Sequence, residues 1–404
     1  MLRRIVGSCL FPAGCFLLVS LGVGEWPGIY RLHRQLPFGA TNSVVINEQS
    51  STFLTVAQGL PANPSLDVAS IVSHPTGTWY CIPSDYKNAY AEQFNFGLER
   101  ELPFNIIAKV TYVGNLGRDL DVAPYNINQP VPGPGAPGPR ELLSNIAPGV
   151  ASDLYAATDG LSSYHSLQAT AQKRFSSGLS FLSAYTYSHS IDNVSLQEGG
   201  GADGPVPADP LHRRDFGSSS FDISHRFTQT VNYNLPFGKG QKFNIKKSWV
   251  DKALGGRQVN MILTAQTGLP FTPVLANSVA NTGSTSRPNI VGDPAISNPT
   301  IDHWFNTSFN VPGAPWFTPT IYTFGNSGRN ILRGPGRFNL DTSLFKDFVV
   351  TERVHLQFRG ELFNVLNHPQ FDLPNATIGN ASAGIISATL GTPRDIKLGL
   401  RLAF

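Results

Sequence analysis

The sequence predicts an all-β chain that forms an antiparallel transmembrane β-barrel, with about nine recognisable strands of a larger barrel. Three observations predict this fold. Apolar and polar residues alternate in segments of about ten residues, the length that a tilted strand needs to cross a bilayer. Charged residues make up only 14% of the chain while aromatic residues reach 11%, a balance that suits a wall facing lipid. Finally, short and long connections follow one another in turn.

The alternation is clearest in the last ten residues, from Asp395 to Phe404, where Ile396, Leu398 and Leu400 share one face and Lys397 and Arg401 lie on the other. The segment 353–366 repeats this pattern. Seven further segments fit it and complete the nine predicted strands: 91–102, 104–113, 164–175, 179–189, 225–235, 257–267 and 338–346. A soluble β-sandwich would give the same alternation, so the strands alone leave both architectures open.

The connections favour the membrane barrel, because outer-membrane barrels alternate short periplasmic turns with long extracellular loops. The links are brief around Pro103, at 176–178 and at 347–352, and modest at 236–255, whereas 114–163, 190–224, 268–337 and 367–394 are long. Aromatic residues collect beside the short turns, as an interfacial girdle requires. These are Phe104, Phe175, Phe181, Phe237, Phe345 and Phe348, together with Phe404 at the chain end.

Three parts of the chain differ in pattern. Residues 1–23 carry Arg3 and Arg4 before an apolar stretch, which indicates a signal peptide or a mis-assigned start. Residues 24–90 have weak periodicity and are interpreted as irregular or as a remnant barrel segment. Residues 91–404 are the predicted outer-membrane barrel domain. Outside the N-terminal stretch no run of 18 apolar residues predicts a helical span.

Composition and motifs argue against several functions. The net charge is only +3 and the basic residues are scattered, so no nucleic-acid partner is predicted. The three cysteines stand at no metal-ligand spacing, and the segment from His212 to Asp215 followed by His225 matches no ligand motif. Gly325-Asn326-Ser327-Gly328 is followed by Arg329, which stands where a nucleophile elbow has its second glycine. The sequence therefore predicts no catalytic residue, no cofactor and no metal site, and the chain is not expected to be an enzyme.

Several phrases resemble one family of transporters, and their order along the chain carries the resemblance. These phrases are Phe94-Asn95-Phe96-Gly97-Leu98-Glu99-Arg100, Tyr112-Val113-Gly114-Asn115, Tyr164-His165-Ser166-Leu167-Gln168, Tyr185-Thr186-Tyr187-Ser188-His189-Ser190, Gly268-Leu269-Pro270-Phe271 and Phe363-Asn364-Val365-Leu366-Asn367-His368. Over about residues 86–404 the chain resembles the C-terminal part of Oar-like TonB-dependent transporter barrels of Gram-negative bacteria.

The resemblance implies a location in the outer membrane and a role in ligand uptake. It implies a 22-stranded barrel with an N-terminal plug, neither of which this chain carries in full, so TonB is expected as a partner only if a plug and a TonB box lie upstream. The terminal Phe404 resembles the signal that the barrel assembly machinery binds. Outer-membrane lipid is the other expected partner.

Two hypotheses of different class remain at this point. The first is a receptor-like barrel, a fragment without its plug, whose polar strand faces present Arg359, Glu361, Lys397 and Arg401 to the lumen. The second is a surface-exposed β-rich adhesin or binding protein that does not transport. The ligand is expected to be determined by loops and plug rather than by the wall.

Overall fold

The computed structural model describes residues 86–122, 125–155, 157–195, 216–238, 241–244, 250, 255–349, 351 and 354–404, together with the backbone of two strands, Cys15–Leu17 and Thr76–Cys81. The predicted segments 1–23 and 24–90 lie almost wholly outside these ranges, so this division of the chain stays a prediction. Thr76–Cys81 pairs in parallel with Gly149–Tyr155 and antiparallel with Cys15–Leu17. Within the described ranges, no helix is long and apolar enough to cross a membrane.

Nine long strands form one antiparallel sheet in which every strand pairs with its neighbours in the chain. We name them β1 to β9: Tyr90–Leu102, Ile106–Leu120, Gly160–Ser176, Leu179–Asp192, His225–Asn234, Arg257–Gln266, Arg337–Val349, His355–Phe363 and Asp395–Ala403. The nine strands predicted from the sequence are therefore confirmed, and most differ from the structure by a few residues at their ends.

The strand register places the apolar residues of neighbouring strands on the same face of the sheet. One row across β1 to β7 consists of Leu98, Val110, Ala169, Tyr185, Phe227, Ala265 and Phe338. The adjacent row lies on the opposite face and consists of Glu99, Lys109, Thr170, Ala184, Thr228, Thr264 and Asn339. Successive residues of a strand point to opposite faces, so the sheet has one mainly apolar face and one mainly polar face.

Short turns join the strands at one end of the sheet. Ser177 and Gly178 both have positive φ, 49° and 80°, as a two-residue hairpin turn of the primed type requires. Phe104 and Asn105 adopt positive φ in the turn between β1 and β2. We call this end the short-turn end and the opposite one the long-loop end. The predicted alternation of short and long connections is confirmed.

The described parts of the four long connections, within residues 121–159, 193–224, 267–336 and 364–394, form what we call the cap. Every buried hydrophobic side chain in the described part of the chain lies in the cap, and none lies in β1 to β9. The larger cluster contains Phe271, Leu275, Phe305, Trp316, Leu332 and Ile378. A single-layer sheet with one face in lipid has no second layer to bury its apolar side chains, so the chain's packed core lies in its loops.

Some side chains depart from the predicted pattern of the wall, and Phe345 and Gln229 are two of them. Phe345 lies on the polar face opposite Arg359, so its assignment to the aromatic girdle was wrong. Its ring lies 4.9 Å from the Arg359 guanidinium, and this cation–π contact accounts for an aromatic residue among polar neighbours. Gln229 lies on the apolar face, where its side-chain oxygen accepts a hydrogen bond from the Ser183 hydroxyl across the strand pair. This pairing satisfies two polar groups that lipid would leave without partners.

Candidate functional site

The polar face of β8 and β9 carries the four charged residues that the sequence predicts as lumen-facing. Glu361 is directly opposite Lys397, and Arg359 and Arg401 lie on the same face. Arg359 Nε donates a hydrogen bond to Gln357 Oε1 at 2.6 Å. The structure thus places the four residues together on one face, at the edge of the sheet that ends with β9.

Lys397 shows how these charges are arranged. Its Nζ is 3.4 Å from Asp395 Oδ2 and 5.0 Å from the centre of the Phe363 ring. The side chains of Lys397 and Asp395 are 63% and 49% exposed, so water screens their attraction and the pair contributes little to stability. Such charges remain available to a polar ligand or to another part of the protein.

Farther from this edge, the polar face consists mainly of neutral hydrogen-bonding side chains. On β5 and β6 it carries Thr228, Thr230, Asn232, Asn260 and Thr264. Asn260 Nδ2 donates to Ser343 Oγ at 3.0 Å across the β6–β7 pair. Amides and hydroxyls both donate and accept hydrogen bonds, so this surface suits water, polar backbone or hydroxylated ligands more than an ion.

Two ion pairs with buried carboxylates lie where the cap meets β4. Arg329 donates to the Asp192 carboxylate and also bonds the Asp192 carbonyl oxygen at 2.7 Å and Ser195 Oγ at 2.9 Å. The side chains of Arg329 and Asp192 are 1% and 3% exposed. Because a charge buried this deeply is costly unless it is paired and hydrogen-bonded, the two residues constrain each other closely.

The second ion pair lies beside the first. Arg333 donates to the Asp222 carboxylate, which also accepts a hydrogen bond from the backbone N–H of Ser190 at 2.7 Å. His189 Nδ1 lies 3.1 Å from the same carboxylate, whose side chain is 1% exposed. The two pairs therefore connect the end of β4 with two of the long connections of the cap.

Other contacts join the remaining connections to the same unit. Arg140 donates to the Asn281 carbonyl oxygen at 2.7 Å, and Asn281 Nδ2 donates to the Gly133 carbonyl oxygen at 2.9 Å. The short strand Val274–Leu275 pairs in parallel with Thr377–Ile378. The described parts of all four long connections thus contribute to one cap, which the sequence does not predict.

Aromatic and histidine side chains also line the apolar face at the long-loop end. The Tyr112 hydroxyl and His165 Nδ1 share a hydrogen bond of 2.7 Å, and Tyr185 and His225 repeat this arrangement at the same distance. Such amphipathic rings are typical of the level where lipid meets water. The sequence predicts an aromatic girdle only beside the short turns. The Tyr and His residues of β2 to β5 are the sequence signal that indicates a second girdle at the long-loop end.

The described residues contain no group of three His, Cys, Asp or Glu side chains able to hold a metal ion. The arrangement is instead that of a wall and a cap. The wall presents hydrogen-bonding side chains on one face and apolar side chains on the other, and the cap presents an ordered surface at one end.

Comparison with solved structures finds matches to outer-membrane proteins. The outer membrane transporter YddB from Escherichia coli is 12% identical, and the match covers 80% of this chain and 34% of that one, with a TM-score of 0.44. The FrpB iron transporter from Neisseria meningitidis is 11% identical, with 80% and 32% covered and a TM-score of 0.38. The pyoverdine outer membrane receptor FpvA from Pseudomonas aeruginosa is 12% identical, with 78% and 30% covered and a TM-score of 0.38. The chain thus spans about a third of the length of these proteins.

Comparison with curated protein sequences finds no match. The family model described as "Outer membrane beta barrel domain" matches residues 20–397, which is most of the chain and includes all the strands of the wall up to Lys397 in β9. The chain is therefore an outer-membrane β-barrel protein that belongs to the outer membrane beta barrel domain family.

Proposed function

We propose that this chain forms part of the barrel wall and the extracellular cap of a receptor that takes up a ligand across the outer membrane, with the plug supplied by another segment. The observation that carries the proposal is the combination of a two-faced nine-stranded wall with a cap that has its own packed core. A cap ordered in this way presents a ligand surface without the entropic cost of ordering loops on binding.

The directions of the strands support a larger barrel. β1 and β9 are the two edges of the sheet, and both run from the long-loop end to the short-turn end. Antiparallel closure therefore needs an odd number of additional strands between them. A second copy in the same membrane orientation would offer only parallel partners to either edge. Unpaired edge groups in lipid cost several kcal/mol each, so other strands are expected to complete the wall.

Within this receptor the charged edge residues have a specific role. Arg359, Glu361, Lys397 and Arg401 are proposed to face the lumen, where they would contact a plug or a passing ligand. The cap is proposed to determine which ligand binds, since its surface is ordered and lies at the end where ligands would arrive. Phe404 is proposed as the assembly signal at the opposite end.

The experiment that tests the receptor proposal is top-down mass spectrometry of the protein from a purified outer-membrane fraction. We expect a native chain that contains these 404 residues and additional strands, in the outer membrane. Recovery of a 404-residue or shorter chain with no associated polypeptide would contradict the receptor proposal. Recovery in the soluble fraction alone would contradict both the receptor and the wall.

A surface adhesin is the second candidate, and the position of the packed core in the cap favours it to the same degree. The two functions differ in ligand movement. Cells with the native protein are exposed to labelled extracellular ligands, and periplasmic and surface-bound label are measured separately. Label that reaches the periplasm only with an intact energy supply supports the receptor, whereas surface-bound label alone supports the adhesin.

A further inference from the structure

A groove of about 660 Å³ lies on the apolar, outward face of the wall at the long-loop end. Its floor is the row in which Phe227 pairs with Tyr185 on one side and with Ala265 on the other, and Ala265 pairs with Phe338. Because Ala265 is the one small side chain between two phenylalanines, it leaves a notch that opens toward lipid. The volume is within the range of sites that bind small molecules.

The end of the groove nearest the cap is polar and basic. It is lined by His225, Thr267, Arg333 and Arg337, and its lining contains no carboxylate. Arg333 is held in place there, since it donates to the carbonyl oxygens of Asp222 and Gly268 at 3.3 and 3.2 Å. Its side chain is 35% exposed, whereas the Asp222 carboxylate that it pairs with is 1% exposed.

The groove therefore changes from apolar to cationic along the strands, toward the cap. This order matches a membrane lipid whose chain lies in the hydrocarbon layer and whose headgroup lies at the membrane surface. Arginine forms bidentate hydrogen bonds with phosphate, and a fixed guanidinium at the membrane surface is suited to that group. No acidic side chain lines the groove, and the Asp222 carboxylate beside it is 1% exposed and paired with Arg333, so the basic side chains are the charges that an anionic headgroup meets at the surface.

We propose that this groove binds a phosphate-bearing lipid of the leaflet on the long-loop side of the membrane. One acyl chain lies over Ala265 between Phe227 and Phe338, and the phosphate contacts Arg333 and His225. The site is on the outside of the wall, so it is separate from the ligand surface of the cap and does not depend on uptake. Its location beside the Asp222–Arg333 pair connects lipid binding to the contact that holds the cap on β4.

The test is native mass spectrometry of the protein as purified from the outer membrane in detergent, titrated with diphosphorylated lipid A or with a phosphate-free glycolipid that has the same acyl chains. We expect one lipid A molecule per chain and at least about tenfold weaker binding of the phosphate-free lipid, since one ion pair near a protein surface accounts for that factor. Equal binding of the two lipids would overturn the headgroup assignment. Displacement of lipid A by millimolar inorganic phosphate would show that a free anion is the ligand and would also overturn the proposal.

Two pairs of variants locate the site. Ala265→Trp fills the notch, whereas Leu263→Trp adds the same ring two residues away on the same outward face. Thr267 Oγ1 accepts a hydrogen bond from the backbone N–H of His225 at 3.2 Å. Thr267→Asp places a carboxylate at the basic end and keeps an oxygen acceptor for this N–H. Thr267→Asn is its neutral control.

We expect Ala265→Trp and Thr267→Asp each to weaken lipid A binding at least about tenfold, with both controls within about twofold of the wild type. Far-UV circular dichroism verifies that each variant is folded. Equal affinities within both pairs, in folded protein, would overturn the proposed site.

Discussion

Replacement of Arg329 by methionine tests whether the buried ion pairs hold the cap on the wall. The change removes the cation and leaves the Asp192 carboxylate, 3% exposed, with the Ser195 hydroxyl as a remaining hydrogen-bond donor at 2.9 Å. Removing one partner of a buried pair costs about 3–5 kcal/mol, because the other charge stays buried and uncompensated. That cost corresponds to an increase of about 10²- to 10³-fold or more in the equilibrium for local opening.

Hydrogen–deuterium exchange followed by mass spectrometry measures this opening directly. We expect Arg329→Met to accelerate exchange in residues 216–224 and 325–333, while the central strands β5 and β6 stay protected. Lys397→Met is the matched control, since it removes the cation of an ion pair whose side chains are 63% and 49% exposed. Its expected cost is about 0–1 kcal/mol.

Two results would refute this reasoning. Exchange in both cap segments within about threefold of the wild type would mean that the ion pair contributes less than about 0.7 kcal/mol to closing the cap. Faster exchange of β5 and β6 to the same extent as the cap would mean that cap and wall open as one unit. In either case the ion pair would not be the local anchor that its burial indicates.

Three further predictions concern the core, the faces and the chain end. Trp316→Ala should cost about 3–5 kcal/mol of cap stability because Trp316 is 0% exposed in the cap core, and limited proteolysis should then cleave the cap before the wall. Leu263→Arg should lower the free energy of unfolding in lipid vesicles by about 2–4 kcal/mol and Thr264→Arg by less, because only the first faces lipid; equal losses would reverse the assignment of faces. Phe404→Ala should lower the amount assembled in the outer membrane without changing the unfolding midpoint of purified protein, because its side chain is 96% exposed; a shifted midpoint would indicate a structural role.

The strands and their faces could be predicted from the sequence because they depend on local pattern. In β9, alternation of Leu398 and Leu400 with Lys397 and Arg401 is enough to assign every side chain to a face. The face of Phe345 could not be predicted in this way, because an aromatic ring near a turn fits a girdle equally well. Only the register places Phe345 beside Arg359. The Tyr and His residues of the second girdle stand in the segments that resemble the transporter family, and their position on the apolar face follows only from the register.

The cap could not be predicted because its contacts are long-range. Asp192 and Arg329 are separated by 137 residues, and Arg329 follows a turn motif that gives no sign of a buried partner. The core residue Ile378 belongs to a two-residue strand that pairs in parallel with Val274–Leu275, and a pair this short has no periodicity to detect. Tertiary packing, rather than local propensity, determines these elements.

The distribution of buried groups explains why this loop region is ordered at all. Loops of this length usually have few buried contacts and open easily. Here Trp316 is fully buried, and its indole N–H donates to the Asn306 carbonyl oxygen at 2.6 Å. The two ion pairs lie where the cap meets the end of β4. Folding has therefore already ordered the surface that we propose for ligand binding, so binding there would lose less conformational entropy than binding to a disordered loop. Arg333 belongs both to one of these ion pairs and to the outward groove. An occupied groove would therefore favour the conformation in which the cap is attached to β4.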